Sequence, residues 1–157
     1  MKKGKGATLL IGVFLLSATV IIAQSDFKKE YTKQFKVNES TILKLVNKYG
    51  DMNIENWDEK TVDIKVIVKV KTSSKSKADN TFGKISISFK EEANLASAIT
   101  NINESINNTE FSIDYFIKMP ANISIDLSNH YGNLFLNEIN GFANINVKYG
   151  NFTINKM

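Results

Sequence analysis

Apolar and polar residues alternate with period two over most of this chain, and a recurring turn interrupts the alternation. Three segments share one pattern: apolar-x-apolar-x-x-(Lys/His)-Tyr-Gly-(Asp/Asn)-apolar-x-apolar-x-x-apolar. They are residues 43–57, 125–139 and 143–157. Tyr131 and Tyr149, in the last two copies, are 18 residues apart. A fixed short offset with matched apolar positions on both sides of a turn is the sequence mark of stacked β-rungs. In such a stack Leu127 lies over Ile145, Leu134 over Phe152, Leu136 over Ile154, Ile139 over Met157 and Tyr131 over Tyr149. Gly50, Gly132 and Gly150 are expected to supply the backbone freedom of the corners.

Between the first and second copies the alternation continues without the turn. Residues 62–70 place Val62, Ile64, Val66, Val68 and Val70 on one face and Asp63, Lys65 and Lys69 on the other, with Ile67 the exception. That is a strand with one wet face. Further strands are expected near 32–38, at 42–46, at 85–89 and at 111–119, the last stopped by Pro120. A short helix is expected over 74–82, capped by Ser73 or Ser74. Residues 91–109 fit a strand, a helical turn or a loop. The predicted fold class is all-β: a right-handed β-solenoid-like stack with an inserted β-meander over 62–119. A sandwich of ordinary hairpins is the competing arrangement.

The first 23 residues stand apart. Lys2, Lys3 and Lys5 precede an uncharged apolar run over 7–23, and polar Gln24-Ser25-Asp26 follows. This is the layout of a secretory signal peptide cut after Ala23. An uncleaved anchor is the alternative, although the run is short for a spanning helix. Residues 24–157 are then a single exported domain, in the periplasm, on the outer membrane surface or outside the cell. Lys2, Lys3 and Lys5 supply three of the four net positive charges. The nearly neutral remainder lacks the basic footprint of a nucleic-acid binder. Contact with the membrane is expected only through the N-terminal segment. The chain has no Cys, so disulfides, thiol catalysis, Cys-ligated zinc and a lipid-anchored cysteine are all excluded.

The stretches Lys48-Tyr49-Gly50-Asp51-Met52-Asn53-Ile54, Ser128-Asn129-His130-Tyr131-Gly132-Asn133-Leu134 and Val147-Lys148-Tyr149-Gly150-Asn151-Phe152 resemble the repeats of the bacterial "putative adhesin" β-solenoid family. The segment from Asp114 through Pro120 into Ile125-Asp126-Leu127 is also similar to it. The resemblance covers most of residues 30–157. It implies an exported envelope protein of Gram-negative bacteria, and its motifs are structural. Family members usually continue with further repeats, whereas Met157 closes the third pattern here. An uncapped last rung presents open strand edges, so the expectation is that either the chain is truncated or another molecule covers that end.

Candidate chemistry is sparse. The single His, His130, occupies the position that Lys48 and Lys148 hold in the other copies, which marks it as a turn residue and not a general base. Asp58, Glu59 and Asp63 are the carboxylates that glycan hydrolysis would call on. Neighbours on a strand face opposite sides, so Asp58 and Glu59 are poorly arranged to flank one bond. Asp51, Asn133 and Asn151 share a turn position, and a structural corner fits them better than a calcium site. No catalytic residues, metal or cofactor are assigned. The expected interaction surface is the tyrosine row Tyr49, Tyr131 and Tyr149, facing a surface protein or a glycan, with end-to-end self-association at the C-terminal rung. The sequence therefore points to a non-enzymatic envelope module for structure or adhesion. A periplasmic sensor held by an uncleaved anchor is the second reading.

Overall fold

Alternating side chains build two facing sheets whose inner rows meet in one hydrophobic cluster. The computed structural model describes residues 25–156. The expected leader over 1–23 and the Ile139–Met157 contact lie outside the described residues. The elements run β1 (Ser25–Lys36), β2 (Ile42–Asn47), β3 (Met52–Asn56), β4 (Thr61–Thr72), α1 (Lys75–Gly83), β5 (Ile85–Glu92), β6 (Leu95–Ile102), β7 (Glu110–Met119), β8 (Ser124–His130), β9 (Leu134–Glu138), β10 (Ala143–Lys148) and β11 (Phe152–Lys156). The all-β class holds, with one short helix capped by Ser74.

One sheet has the order β1-β4-β7-β3-β9-β11 and the other β10-β8-β2-β6-β5. Both are mixed in direction, and neither closes on itself. β1, β4 and β7 are antiparallel neighbours, as are β5 and β6. All other pairs are parallel. The two strands of each repeat lie in different sheets, so the Tyr-Gly turn crosses the sandwich and closes no hairpin. The expected register is present: Ile145 pairs with Leu127, Phe152 with Leu134 and Ile154 with Leu136. The first repeat joins the same stack, with Leu45 beside Leu127 and Met52 beside Leu134.

The insert is not a meander. β4 and β7 pair with each other in one sheet, while β5 and β6 form a hairpin in the other. Helix α1 carries the chain between the sheets, buries Ala78 and Thr81, and packs on β4, β5 and β1. It covers one end of the sandwich. β1 begins at Ser25, earlier than its composition suggests. Pairing with β4 from Ser25–Thr72 to Lys36–Thr61 carries this mostly exposed strand. Its lysines protect the edge against further pairing. The opposite end is formed by β10 and β11.

Candidate functional site

The three Tyr-Gly corners stack into a ladder along one edge of the sandwich. Parallel register brings Tyr49, Tyr131 and Tyr149 face to face, with ring centroids 5.2 and 5.0 Å apart and planes within 8° and 6° of parallel. Phe111 closes the ladder at the Tyr49 end with an edge contact at 5.2 Å. Both faces of Tyr131 are therefore covered by neighbouring rings. Tyr149 is 77% exposed and turns its outer face to the surface. Lys48, His130 and Lys148 flank the rings, and the Lys48 ammonium lies 5.8 Å from the Tyr49 centroid.

The glycines serve the corners in a different way from the one the sequence suggests. Gly50 has positive φ, but in the later copies the left-handed residues are Tyr131 (φ 58°) and Tyr149 (φ 56°). Gly132 and Gly150 are needed for space. A Cβ on Gly132 would overlap the Gly50 carbonyl, and one on Gly150 would overlap the Gly132 carbonyl. Each corner thus leaves a carbonyl against which only a glycine fits.

A second ladder runs beside the rings. The Asn133 N–H donates to Asp51 Oδ1 at 2.7 Å, and its Nδ2 reaches the same oxygen at 3.2 Å. One rung on, the Asn151 N–H and Nδ2 donate to Asn133 Oδ1 at 3.0 and 3.3 Å. The row starts at Asp114, whose Oδ1 accepts from the Asp51 N–H and whose Oδ2 takes Lys69 Nζ at 2.8 Å. The row expected as a calcium alternative is therefore aligned, but its oxygens serve successive backbones and do not converge on one point. Among the described residues no three His, Asp or Glu side chains are placed to hold a metal ion.

Inside the corners lie two asparagines that the sequence reading passed over. Asn47 and Asn129 are buried. Asn47 Nδ2 donates to the Ile113 and Gly50 carbonyls, and Asn129 Nδ2 to those of Gly50 and Asn133. They satisfy carbonyls that the turns leave inside the protein. The signal was available: each follows two inward leucine or isoleucine positions at period two, so each had to point inward. In the third copy the position is Val147.

The other candidates do not assemble. Asp58 and Glu59 are exposed on the connection between β3 and β4, and Asp63 on β4 accepts a hydrogen bond from Gln34 at 2.7 Å. His130 is half-buried at the end of β8, edge-on to Tyr131. A shallow groove of about 920 Å³ crosses the outer face of the larger sheet, lined in part by Trp57, Phe116 and Lys118. Lys118 covers the Trp57 ring there, 6.0 Å from its centroid.

Among the described residues, β10 and β11 are the edge strands at this end of the stack. Met52 and Leu134 are fully buried, whereas Phe152, at the matched position of the last rung, is 44% exposed. Phe142, at the other end of the rung where β10 begins, is 75% exposed, and Ile145, Val147 and Ile154 are half-buried. Lys156 ties this rung to the previous one through Glu138 at 3.0 Å and, with Asn140, holds that carboxyl below the usual range.

No protein-family model and no curated protein matches the chain. Solved structures resemble it in part. A "putative cell adhesion protein" from Clostridium sporogenes is 22% identical over 78% of this chain and 59% of its own, with a TM-score of 0.45. A "putative adhesin" from Bacteroides fragilis is 13% identical over 82% and 59%, with a TM-score of 0.35. Another from Parabacteroides merdae is 11% identical over 81% and 56%, with a TM-score of 0.36. The chain spans less than two thirds of each of these proteins.

Proposed function

We propose that this protein is an exported, non-enzymatic interaction module of the cell envelope, of the adhesion kind, built as a short right-handed β-solenoid-like stack. The exposed aromatic side chains of the β10–β11 rung carry the reading: Tyr149 and Phe152 at its corner, and Phe142 at its other end. Large exposed apolar groups of this kind mark a contact surface. The constant register supports the solenoid-like description, and the basic, apolar leader over residues 1–23 supports export. A protein or glycan partner would stack on the outer face of Tyr149, since the faces of Tyr131 are already covered.

The test is retention on the envelope. Protein carrying Phe142→Ser, Tyr149→Ser and Phe152→Thr together should stay folded, because these side chains contribute little to the core. Wild-type protein added to washed envelopes should sediment with them, and the triple variant should remain in the supernatant. Equal sedimentation of the two would sink this reading.

A further inference from the structure

We propose that Asn140-Gly141 is a site of spontaneous covalent modification: the Gly141 nitrogen closes on the Asn140 side chain, and the resulting aspartyl or isoaspartyl link loosens the corner where β9 passes into β10.

The fold itself makes the pair labile. Of all the asparagines in the chain, Asn140 alone is followed by glycine. Space requires that glycine, because a Cβ on Gly141 would overlap the Ile123 carbonyl of the neighbouring corner. The same missing side chain leaves the Gly141 nitrogen unshielded and its backbone able to bend toward ring closure. The nitrogen is also unengaged. Among the described residues no backbone carbonyl accepts from the Gly141 N–H, whereas the Asn140 N–H is fixed on the Ala121 carbonyl at 2.8 Å. Asn140 is exposed, so its amide has room to turn and water can reach it. Asn122 is exposed at the matched position one rung earlier, but the β-branched Ile123 follows it. The stack therefore carries its own control.

The reaction consumes only water. The Gly141 nitrogen attacks Asn140 Cγ, and the new N–Cγ bond forms as the Cγ–Nδ2 bond breaks. The Gly141 proton passes to the departing nitrogen, which leaves as ammonia. Water then opens the cyclic imide. Attack at Cγ gives an aspartyl residue, and attack at the main-chain carbonyl gives an isoaspartyl one with a lengthened backbone. Both products strike the same contact. Asn140 Nδ2 donates to Glu138 Oε1 at 3.1 Å, the oxygen that Lys156 Nζ holds at 3.0 Å. Lys156 and Asn140 together keep the Glu138 carboxyl below its usual range. Conversion removes one of these donors and sets a second carboxylate beside the first, where like charges repel. The isoaspartyl form also displaces Gly141 from its fit against the Ile123 carbonyl.

The experiment incubates the purified protein in warm neutral buffer and follows each asparagine by peptide mass spectrometry, with an isoaspartyl-specific methyltransferase to mark the rearranged product. Asn140 should convert first, at least about tenfold faster than Asn122, a barrier difference of about 1.4 kcal/mol. The methyltransferase should label the wild-type protein and leave Asn140→Gln unlabelled, because the larger ring closes far more slowly. Asn140→Asp supplies the aspartyl product directly, while Asn140→Gln keeps an amide donor for Glu138. Hydrogen exchange should show loss of protection in β10 and β11 of Asn140→Asp relative to Asn140→Gln. Equal conversion of Asn122 and Asn140, or none at Asn140, overturns the proposal. Equal exchange in the two variants overturns the loosening of the corner.

Discussion

Gly132 and Gly83 both lack left-handed backbone, yet a methyl group has opposite consequences at the two sites. At Gly132 the new Cβ meets the Gly50 carbonyl, which the corner stack holds in place. At Gly83, the last residue of α1, nothing lies within 4 Å. Gly132→Ala should therefore lower stability by about 1–3 kcal/mol through overpacking. Gly83→Ala should raise it by up to about 1 kcal/mol, by restricting the unfolded chain and favouring the helix. Urea midpoints of the two variants check the pair, and a stable Gly132→Ala protein would contradict the glycine-on-carbonyl contact. The repeat made Gly132 and its partners legible in the sequence, but not the reason for them. A motif shows which residues recur. Which of two neighbours takes positive φ depends on what presses against each, and here Tyr131 is the left-handed one. The buried role of Asn129 was equally readable from parity, and asparagine's usual place in exposed turns concealed it.

Among the elements, β4 and the paired repeat strands were plain because alternation and burial agree in them. β6 was not. Its Leu95-Ala96-Ser97-Ala98 start has small side chains and weak contrast, and it is a strand because β2 and β5 pair with it on either side. One side-chain chain ties β6 to its neighbours. Thr100 Oγ1 donates to Asn47 Oδ1 at 3.1 Å, so the Tyr115 hydroxyl, 2.9 Å away, must be the donor to Thr100. Tyr115 is fully buried, and burial pushes its phenol far above the ordinary value. Because the folded pKa is raised, the stability linked to this group is complete below the unfolded value of about 10. Above that pH the unfolded chain releases the proton and the folded one keeps it. Stability should then fall by up to about 1.4 kcal/mol per pH unit. Tyr115→Phe should cost about 1 kcal/mol near neutrality and flatten that part of the alkaline decline. Urea midpoints on either side of about pH 10, for both proteins, decide it; parallel declines would show that Tyr115 is not the group responsible.

The whole molecule has a polarity that no single strand reveals. One end is covered by α1 and bordered by charged edge strands, and the other, among the described residues, carries half-buried Ile145 and Ile154 and exposed Phe142 and Phe152. The repeat foretold the stack and its offset. Which end is closed follows from how the insert folds back between the sheets, and that lies in long-range pairing outside the reach of local pattern. Rungs that touch only their neighbours open from a free end inward, each opening costing about one interface. Amide exchange should therefore be graded along the ladder. β10 and β11 should exchange first, β8 and β9 next, and β2, β3 and β7 only near global unfolding. β1 is the informative comparison, for it is also an edge. It is tied to β4 over its full length and lies at the helix-covered end, so its amides bonded to β4 should be better protected than those linking β10 to β8. Hydrogen exchange read by mass spectrometry resolves these segments. A gradient that steepens toward β10 and β11 is the expected result. Equal protection of all rungs would mean that the stack opens as one unit and that its open end is no weaker than its covered one.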